Sequence, residues 1–198
     1  MPDKQHITGL ILAGGRGARM GNLDKGLQTL DGEPLIAHVI RRLTPQVGQL
    51  LLNANRNLET YRQFGLPVIS DELTGFEGPL AGLQTGMRHC PIPYLLTAPC
   101  DGPFLPVDLA AKLANALDRE NADVAVAVTG QDDNRRTQPV YCLLKIELLP
   151  QLESYLASGK RKIDGWYAPL KVAEVLFDDE AAFRNINTLD ELNQSSHG

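Results

Sequence analysis

The chain has little cysteine and no arrangement of it that chemistry could use. Its three cysteines, Cys90, Cys100 and Cys142, are widely separated, with no CxxC spacing and no neighbouring histidine cluster. That argues against a disulfide framework and a zinc site, and fits reduced thiols in a cytoplasm. An excess of positive charge is also missing, the formal net charge being −5. A duplex nucleic acid partner is thereby disfavoured, because such proteins present a basic face to phosphates, whereas a small anion can still be met by local cations. No membrane-spanning run is readable. The apolar stretch Ile7 to Ala13 is interrupted by Gly14 and Gly15, and residues 1–6 carry one lysine, so no signal peptide is expected. Internal repeats, low-complexity tracts and Pro/Ser-rich linkers are absent as well.

What is present is ordinary for a folded protein: 43% hydrophobic and 22% charged residues, neither a disordered nor a membrane composition. A chain of 198 residues fits one medium domain, able to bury roughly 70% of the surface its unfolded form exposes. The expectation is a single domain over residues 1–198, cytoplasmic, and monomeric because no long exposed apolar stripe is left over.

Short apolar runs of strand length recur at Ile7 to Leu12, Leu50 to Asn53, Pro67 to Ser70, Tyr94 to Thr97 and Val124 to Val128. Helix-length patterns separate them. Leu35, Ile36, Val39, Ile40 and Leu43 form a helical stripe after Pro34, which suits a first helical position. Leu58 to Phe64 reads as a short helix closed by Gly65, and Leu80 to His89 and Val107 to Arg119 as two more. Val140 to Ile146 alternates like a strand, Glu147 to Ala157 reads as a helix, and Lys171 to Phe177 as a further strand, with an antiparallel edge as one placement. The alternation predicts an α/β fold with a mostly parallel central sheet and helices on both faces.

In a parallel sheet, ligands bind beyond the carboxyl ends of the strands, so the residues that follow each strand belong together. After the first strand comes a loop, residues 13–25, with Gly14, Gly15, Gly17 and Gly21 and with Arg16, Arg19 and Lys25 against the single acid Asp24. Such a loop brings backbone N–H groups and cations to a polyphosphate; a surface turn with solvated arginines is the plainer alternative. It is neither a Walker A loop, since Asp24 precedes Lys25 and no Ser or Thr follows it, nor a dinucleotide fingerprint, since Met20 stands where the third glycine belongs. Asn53, Asp71 and Asp101 follow the next strands. A carboxylate at Asp101 suits Mg²⁺ shared with substrate phosphates, or a helix cap. Asp71 fits a turn, or the N1–H and amino group of guanine. Asn53 fits a cap as well as a base or ribose contact.

Taken together, LAGGRGARMG (Leu12 to Gly21), DKG (Asp24 to Gly26), NANR (Asn53 to Arg56), GPLAG (Gly78 to Gly82), PCD (Pro99 to Asp101) and NINTLDEL (Asn185 to Leu192) resemble the molybdenum cofactor guanylyltransferases over nearly the whole chain. The resemblance implies a Rossmann-like nucleotidyltransferase fold that transfers GMP from GTP to molybdenum-molybdopterin with Mg²⁺. It implies GTP contacts from Leu12, Ala13, Gly14, Gly15, Lys25, Asn53, Asp71 and Asp101, with Asp101 also holding the metal. Acceptor contacts fall on Gly78, Pro79, Leu80, Gly82, Asn185 and Asn187, although Asn187 also suits a helix cap. Cytidylyl-transferring relatives typically have Ala at the position of Gly14 and lack the GPLAG stretch, so its presence favours GTP. Proteins that mature molybdoenzymes are the partner class left for the product. Arg135 to Pro139 and Arg161-Lys162 match no family position, and their cations fit either a pterin phosphate or solvent.

Transfer onto a phosphate monoester needs no activated nucleophile, since the attacking oxygen is already anionic. The four histidines stand at no catalytic spacing, in agreement. Catalysis then rests on positioning and charge stabilisation, assigned here to Arg19, Lys25 and Asp101. A cytidylyl or sugar-phosphate nucleotidyltransferase on the same scaffold, or a non-catalytic GTP- or pterin-binding delivery module, are the alternatives.

Overall fold

The structure, a computed structural model, describes residues 2–13, 24–72 and 78–186. Strand β1 (Ile7–Leu12) is apolar at consecutive positions, with Ile7 and Ile11 packed on one side and Leu10 on the other. A strand with no polar face belongs in the middle of a sheet covered on both sides. Two short strands follow, β2 (Thr29–Leu30) and β3 (Glu33–Pro34), joined by Asp31 and Gly32 at φ 53° and 80°. Two successive positive φ values make the mirror-image hairpin turn that Asp-Gly favours.

Besides short 3₁₀ turns, the remaining strands and helices among the described residues are α1 (Leu35–Leu43), β4 (Gln49–Asn53), α2 (Leu58–Arg62), β5 (Val68–Ile69), α3 (Pro79–Arg88), β6 (Tyr94–Pro99), α4 (Leu109–Arg119), β7 (Val124–Thr129), β8 (Arg136–Lys145), α5 (Leu149–Ala157), α6 (Ile163–Tyr167) and β9 (Val172–Phe177). Pro34 stands just before α1 with ψ 142°, so the helix begins one residue later than the proline suggests. Gly65, at φ 74°, follows the end of α2 as the sequence implies.

Among the described residues the main sheet has seven strands, in the order β5-β4-β1-β6-β8-β7-β9. Strand β8 pairs antiparallel with both β6 and β7, whereas β9 pairs parallel with β7. The antiparallel strand is therefore an interior one, and the placement of 171–177 as an antiparallel edge is corrected: it is an edge, but a parallel one. The register gives the reason. Leu144, next to the last residue of β8, lies opposite Val124, the first residue of β7, and β9 starts with Val172 beside that same Val124. Through α5 and α6 the chain comes to the end of the sheet where β7 begins, and β9 runs from there alongside it.

Strand residues alternate between two cores. Leu96, Ala98, Ala125, Ala127, Tyr141 and Leu143 meet α1, α2 and α4, while Leu95, Val124, Val126, Cys142 and Leu144 meet α3, α5 and α6. Helix α3 lies so close on β1 that a Cβ on Gly86 would stand 2.3 Å from Leu10 Cδ2. From β1 the chain moves outward to β4 and β5, then crosses back to β6 on the other side of β1. That reversal opens a crevice at the carboxyl ends of β1 and β6.

Burial holds the thiols of Cys90, Cys100 and Cys142 above their ordinary values, and the phenols of Tyr61, Tyr141 and Tyr167 likewise. These groups bind their protons more tightly folded than unfolded. Their contribution to stability is complete below the unfolded thiol value of about 8.5 and is lost as pH rises beyond it, by about 1.4 kcal/mol per pH unit for each group while only the unfolded form ionises. The thermal midpoint is expected to fall above pH ~8.5, more steeply beyond pH ~10 as unfolded tyrosines ionise, and Cys142→Ala should flatten the first part. A midpoint constant across that range contradicts the burial of these groups.

Candidate active site

Three neighbouring strands end in register at the crevice. Leu12 of β1 lies between Asn53 of β4 and Pro99 of β6. Backbone pairing continues one residue further on each side, with Ala13 N–H donating to Asn53 O at 2.8 Å and Cys100 N–H to Leu12 O at 3.1 Å. The first residues beyond the sheet, Ala13, Ala54 and Cys100, are all buried. The polar groups that follow therefore emerge from one rigid edge.

Lys25 and Asp101 meet there. The Lys25 ammonium lies 3.0 Å from Asp101 Oδ2, the carboxylate being 9% exposed and the lysine side chain 26%. Residue 25 reaches this place because its neighbours are anchored in the interior. The buried Asp24 carboxylate accepts the Tyr61 hydroxyl at 2.5 Å and the Asn57 amide at 2.9 Å. Gly26 packs against Tyr61 and Cys100 so tightly that a Cβ would lie 2.7 Å from the Tyr61 oxygen. Burial raises the proton affinity of Tyr61, and the neighbouring Cys100 and the bond to Asp24 add to it. Cys100 is pushed well up by burial and then by the charges of Asp101 and Asp24. A buried, protonated thiol is no nucleophile, so the sulfur next to Asp101 offers packing and not covalent chemistry.

The donor set bears on a metal. Among the described residues no cluster of three or more His, Cys, Asp or Glu side chains could hold an ion alone. Asp101 supplies one carboxylate, which fits Mg²⁺ of the kind that takes one or two protein carboxylates and completes its shell with substrate phosphates and water.

On the other side of β1, Asn53 and Asp71 also come together. Asn53 donates to Asp71 Oδ1 at 2.8 Å. Helix α3 covers this pair, and a Cβ on Gly82 would lie 2.4 Å from Asn53 Oδ1 and 2.7 Å from Leu12 Cδ2. Gly82 is thus the gap that lets α3 seat over the ends of β1 and β4, while Leu80 is buried in the core beneath. Gly78 has φ 119° and ψ 173° immediately before Pro79, the first residue of α3. Only glycine adopts that conformation without strain, which explains Gly-Pro at this entry.

Asn185, expected to contact the acceptor, is tied to the Asp101 loop. Ile186 N–H donates to Asp101 O at 2.8 Å, the Tyr141 hydroxyl lies 3.4 Å from Asn185 Oδ1, and a Cβ on Gly102 would meet that hydroxyl at 1.9 Å. Leu12, Ala13, Lys25, Asn53, Asp71, Asp101, Gly78, Pro79, Leu80, Gly82 and Asn185 lie within the described residues. Gly14, Gly15, Arg19 and Asn187 lie outside them. Of the unmatched cations, Arg135 pairs with Glu174 at 2.6 Å, and Arg161 donates to Leu156 O and Lys160 O at 2.9 and 2.7 Å. The residues that the sequence reading passes over are Asn55, Asn57, Tyr61 and Tyr141. They brace the site from other elements, and only Asn55, two places after Asn53, sits in a motif that could have announced it.

Comparison with known proteins identifies the family. Residues 9–172 match the MobA-like NTP transferase domain. The molybdenum cofactor guanylyltransferase of Cupriavidus necator is 58% identical over 97% of this chain and 97% of its own, and that of Bordetella petrii 56% over 98% and 99%. Among solved structures, molybdopterin-guanine dinucleotide biosynthesis protein A from Archaeoglobus fulgidus has a TM-score of 0.76 at 24% identity, covering 96% of both chains. A 4-diphosphocytidyl-2C-methyl-D-erythritol synthase from Anaerococcus prevotii also reaches 0.76, at 16% identity and 98% of both chains. The two structures establish the fold, and the closer relatives the family: the chain belongs to the molybdenum cofactor guanylyltransferases, nucleotidyltransferases of the MobA-like type.

Proposed function

We propose that the chain transfers GMP from GTP to the terminal phosphate of molybdenum-molybdopterin, forming the molybdopterin guanine dinucleotide cofactor and pyrophosphate. The observation that carries this reading is the 3.0 Å approach of Lys25 to Asp101 at the switch point of the sheet, where an α/β fold receives its ligand. The names of the relatives supply the nucleotide and the pterin.

The barrier is the approach of two anions at the α-phosphorus while charge gathers on the departing pyrophosphate. Lys25 is half-buried beside a buried anchor, so its ammonium is held in place to meet phosphate oxygens with little reorganisation. Arg19 and the amides of Gly14 and Gly15 belong to the same phosphate loop in sequence and are assigned to the triphosphate. Asp101 would hold Mg²⁺, which supplies positive charge to the triphosphate. Asp71 is assigned to the guanine edge, Asn53 and Ala13 to the nucleoside, and Asn185, Gly78 and Pro79 to the pterin acceptor. The attacking phosphate oxygen is anionic near neutral pH, and neither a general base nor a nucleophilic side chain is required of the protein.

Two measurements test the proposal. Asp101→Ala should lower turnover about 100- to 1,000-fold or more, the scale of losing a preorganised stabilising group, with the thermal midpoint showing the fold intact; near-normal turnover would remove Asp101 from the metal role. In a panel of GTP, CTP, ATP and UTP with Mg²⁺ and molybdenum-molybdopterin, GTP should be the efficient source of pyrophosphate, and product mass should correspond to the guanine dinucleotide. Preference for CTP would reassign the enzyme to cytidylyl transfer. GTP binding without pyrophosphate release would make it a delivery module.

A further inference from the structure

We infer that Asn55 is a positioning residue for base selection, holding the Asp71 carboxylate so that a single acceptor position is left for the nucleotide base. The inference rests on the reading of Asp71 as the group that meets guanine.

The segments that follow β4 and β5 run side by side and are stitched together. Ala54 N–H donates to Ile69 O at 2.9 Å, Ser70 Oγ to Ala54 O at 2.8 Å, and Asn53 Nδ2 to both Ile69 O at 3.4 Å and Asp71 Oδ1 at 2.8 Å. Asn55 then grips Asp71 twice. Its Nδ2 donates to Asp71 Oδ2 at 2.8 Å, and its Oδ1 accepts the Asp71 backbone N–H at 2.8 Å. A backbone N–H can only donate and a carboxylate only accept, so the two bonds fix which way the Asn55 amide points.

A carboxylate offers about four acceptor positions, two on each oxygen. On Asp71 Oδ1 both are taken, by Asn53 at 2.8 Å and by the Thr85 hydroxyl at 3.3 Å. On Oδ2 Asn55 takes one. Among the described residues, no other donor meets Oδ2, and one position on it remains. Asn53, at the end of β4, and Thr85, on α3, are buried at 1% and 3% exposure; Asn55 is the exposed partner. It therefore sets the direction of the remaining lone pair without carrying the core. Guanine presents its N1–H and amino donors side by side, so one of them meets that position wherever the edge lies, whereas adenine sets its N1 acceptor beside its one amino group and is accepted only if the carboxylate turns toward that amino group. The discrimination is sharp only while the carboxylate is held still.

The test compares initial rates with GTP and ATP for the full-length enzyme and three variants. Asn55→Ala should raise KM for GTP about tenfold, the effect of one lost charge-assisted hydrogen bond. It should lower kcat less than that and reduce the GTP-over-ATP preference by a similar factor, with the thermal midpoint kept. Asn55→Asp, equal in size, sets a second carboxylate against Oδ2 and should do more damage to selectivity than the alanine. In an Asp71→Asn background, Asn55→Ala should add nothing. The inference is overturned if Asn55→Ala leaves the preference within about twofold of the parent, if it lowers only the thermal midpoint, or if its penalty persists undiminished beside Asp71→Asn. Should Asp71→Asn itself retain full preference for GTP, the assignment of the base to Asp71 fails and takes this inference with it. Loss of preference in Asp71→Asn with none in Asn55→Ala sinks the inference alone.

Discussion

The site depends on one topological constraint: a chain that builds a parallel sheet outward from β1 must cross back over β1 before it can extend the other side. At that crossing the loop after β1 and the end of β6 are forced together, although Lys25 and Asp101 are 76 positions apart in the chain. The ion pair between them is the direct expression of that constraint. A carboxylate this buried needs a cation or a metal beside it, since an isolated charge taken out of water costs several kcal/mol. Lys25 supplies the charge, and thereby stands where the proposed function places the triphosphate.

Each loop at the edge is held by a small polar cluster drawn from a different element. Asp24 is fixed by Tyr61 and Asn57, Asp71 by Asn53, Asn55 and Thr85, and Asn185 faces the Tyr141 hydroxyl beside Gly102. Glycines at 26, 82 and 102 permit these approaches, since a side chain at any of them would collide with Tyr61, Asn53 or Tyr141 respectively. Such preorganisation suits a reaction whose catalysis is almost wholly placement and charge, because little energy remains to be spent on reorganising the site at the moment of transfer.

Much of this was legible in the residues. Consecutive apolar positions in β1, β6 and β7 announce strands buried on both faces, and the stripe Leu35, Ile36, Val39 and Leu43 announces α1. The polar residue after each strand named Asn53, Asp71 and Asp101. Strand pairing was less legible. The inward turn of β8 follows from its pairing with both β6 and β7, and alternation alone says nothing of direction. The Asp31-Gly32 hairpin carried a recognisable turn signal that the longer helical pattern overshadowed. Tyr61 and Tyr141 could not have been assigned to the site from sequence, because each lies in the interior of another element and acts through a contact across tens of residues.

The most direct test of the central claim is a crystal structure of the enzyme with Mg²⁺ and a GTP analogue whose α–β bridging oxygen is replaced to block transfer. The account predicts the triphosphate at the ends of β1 and β6, with phosphate oxygens on Lys25 and a metal ion shared with the Asp101 carboxylate. A triphosphate bound elsewhere, with the Lys25–Asp101 pair undisturbed, would contradict it.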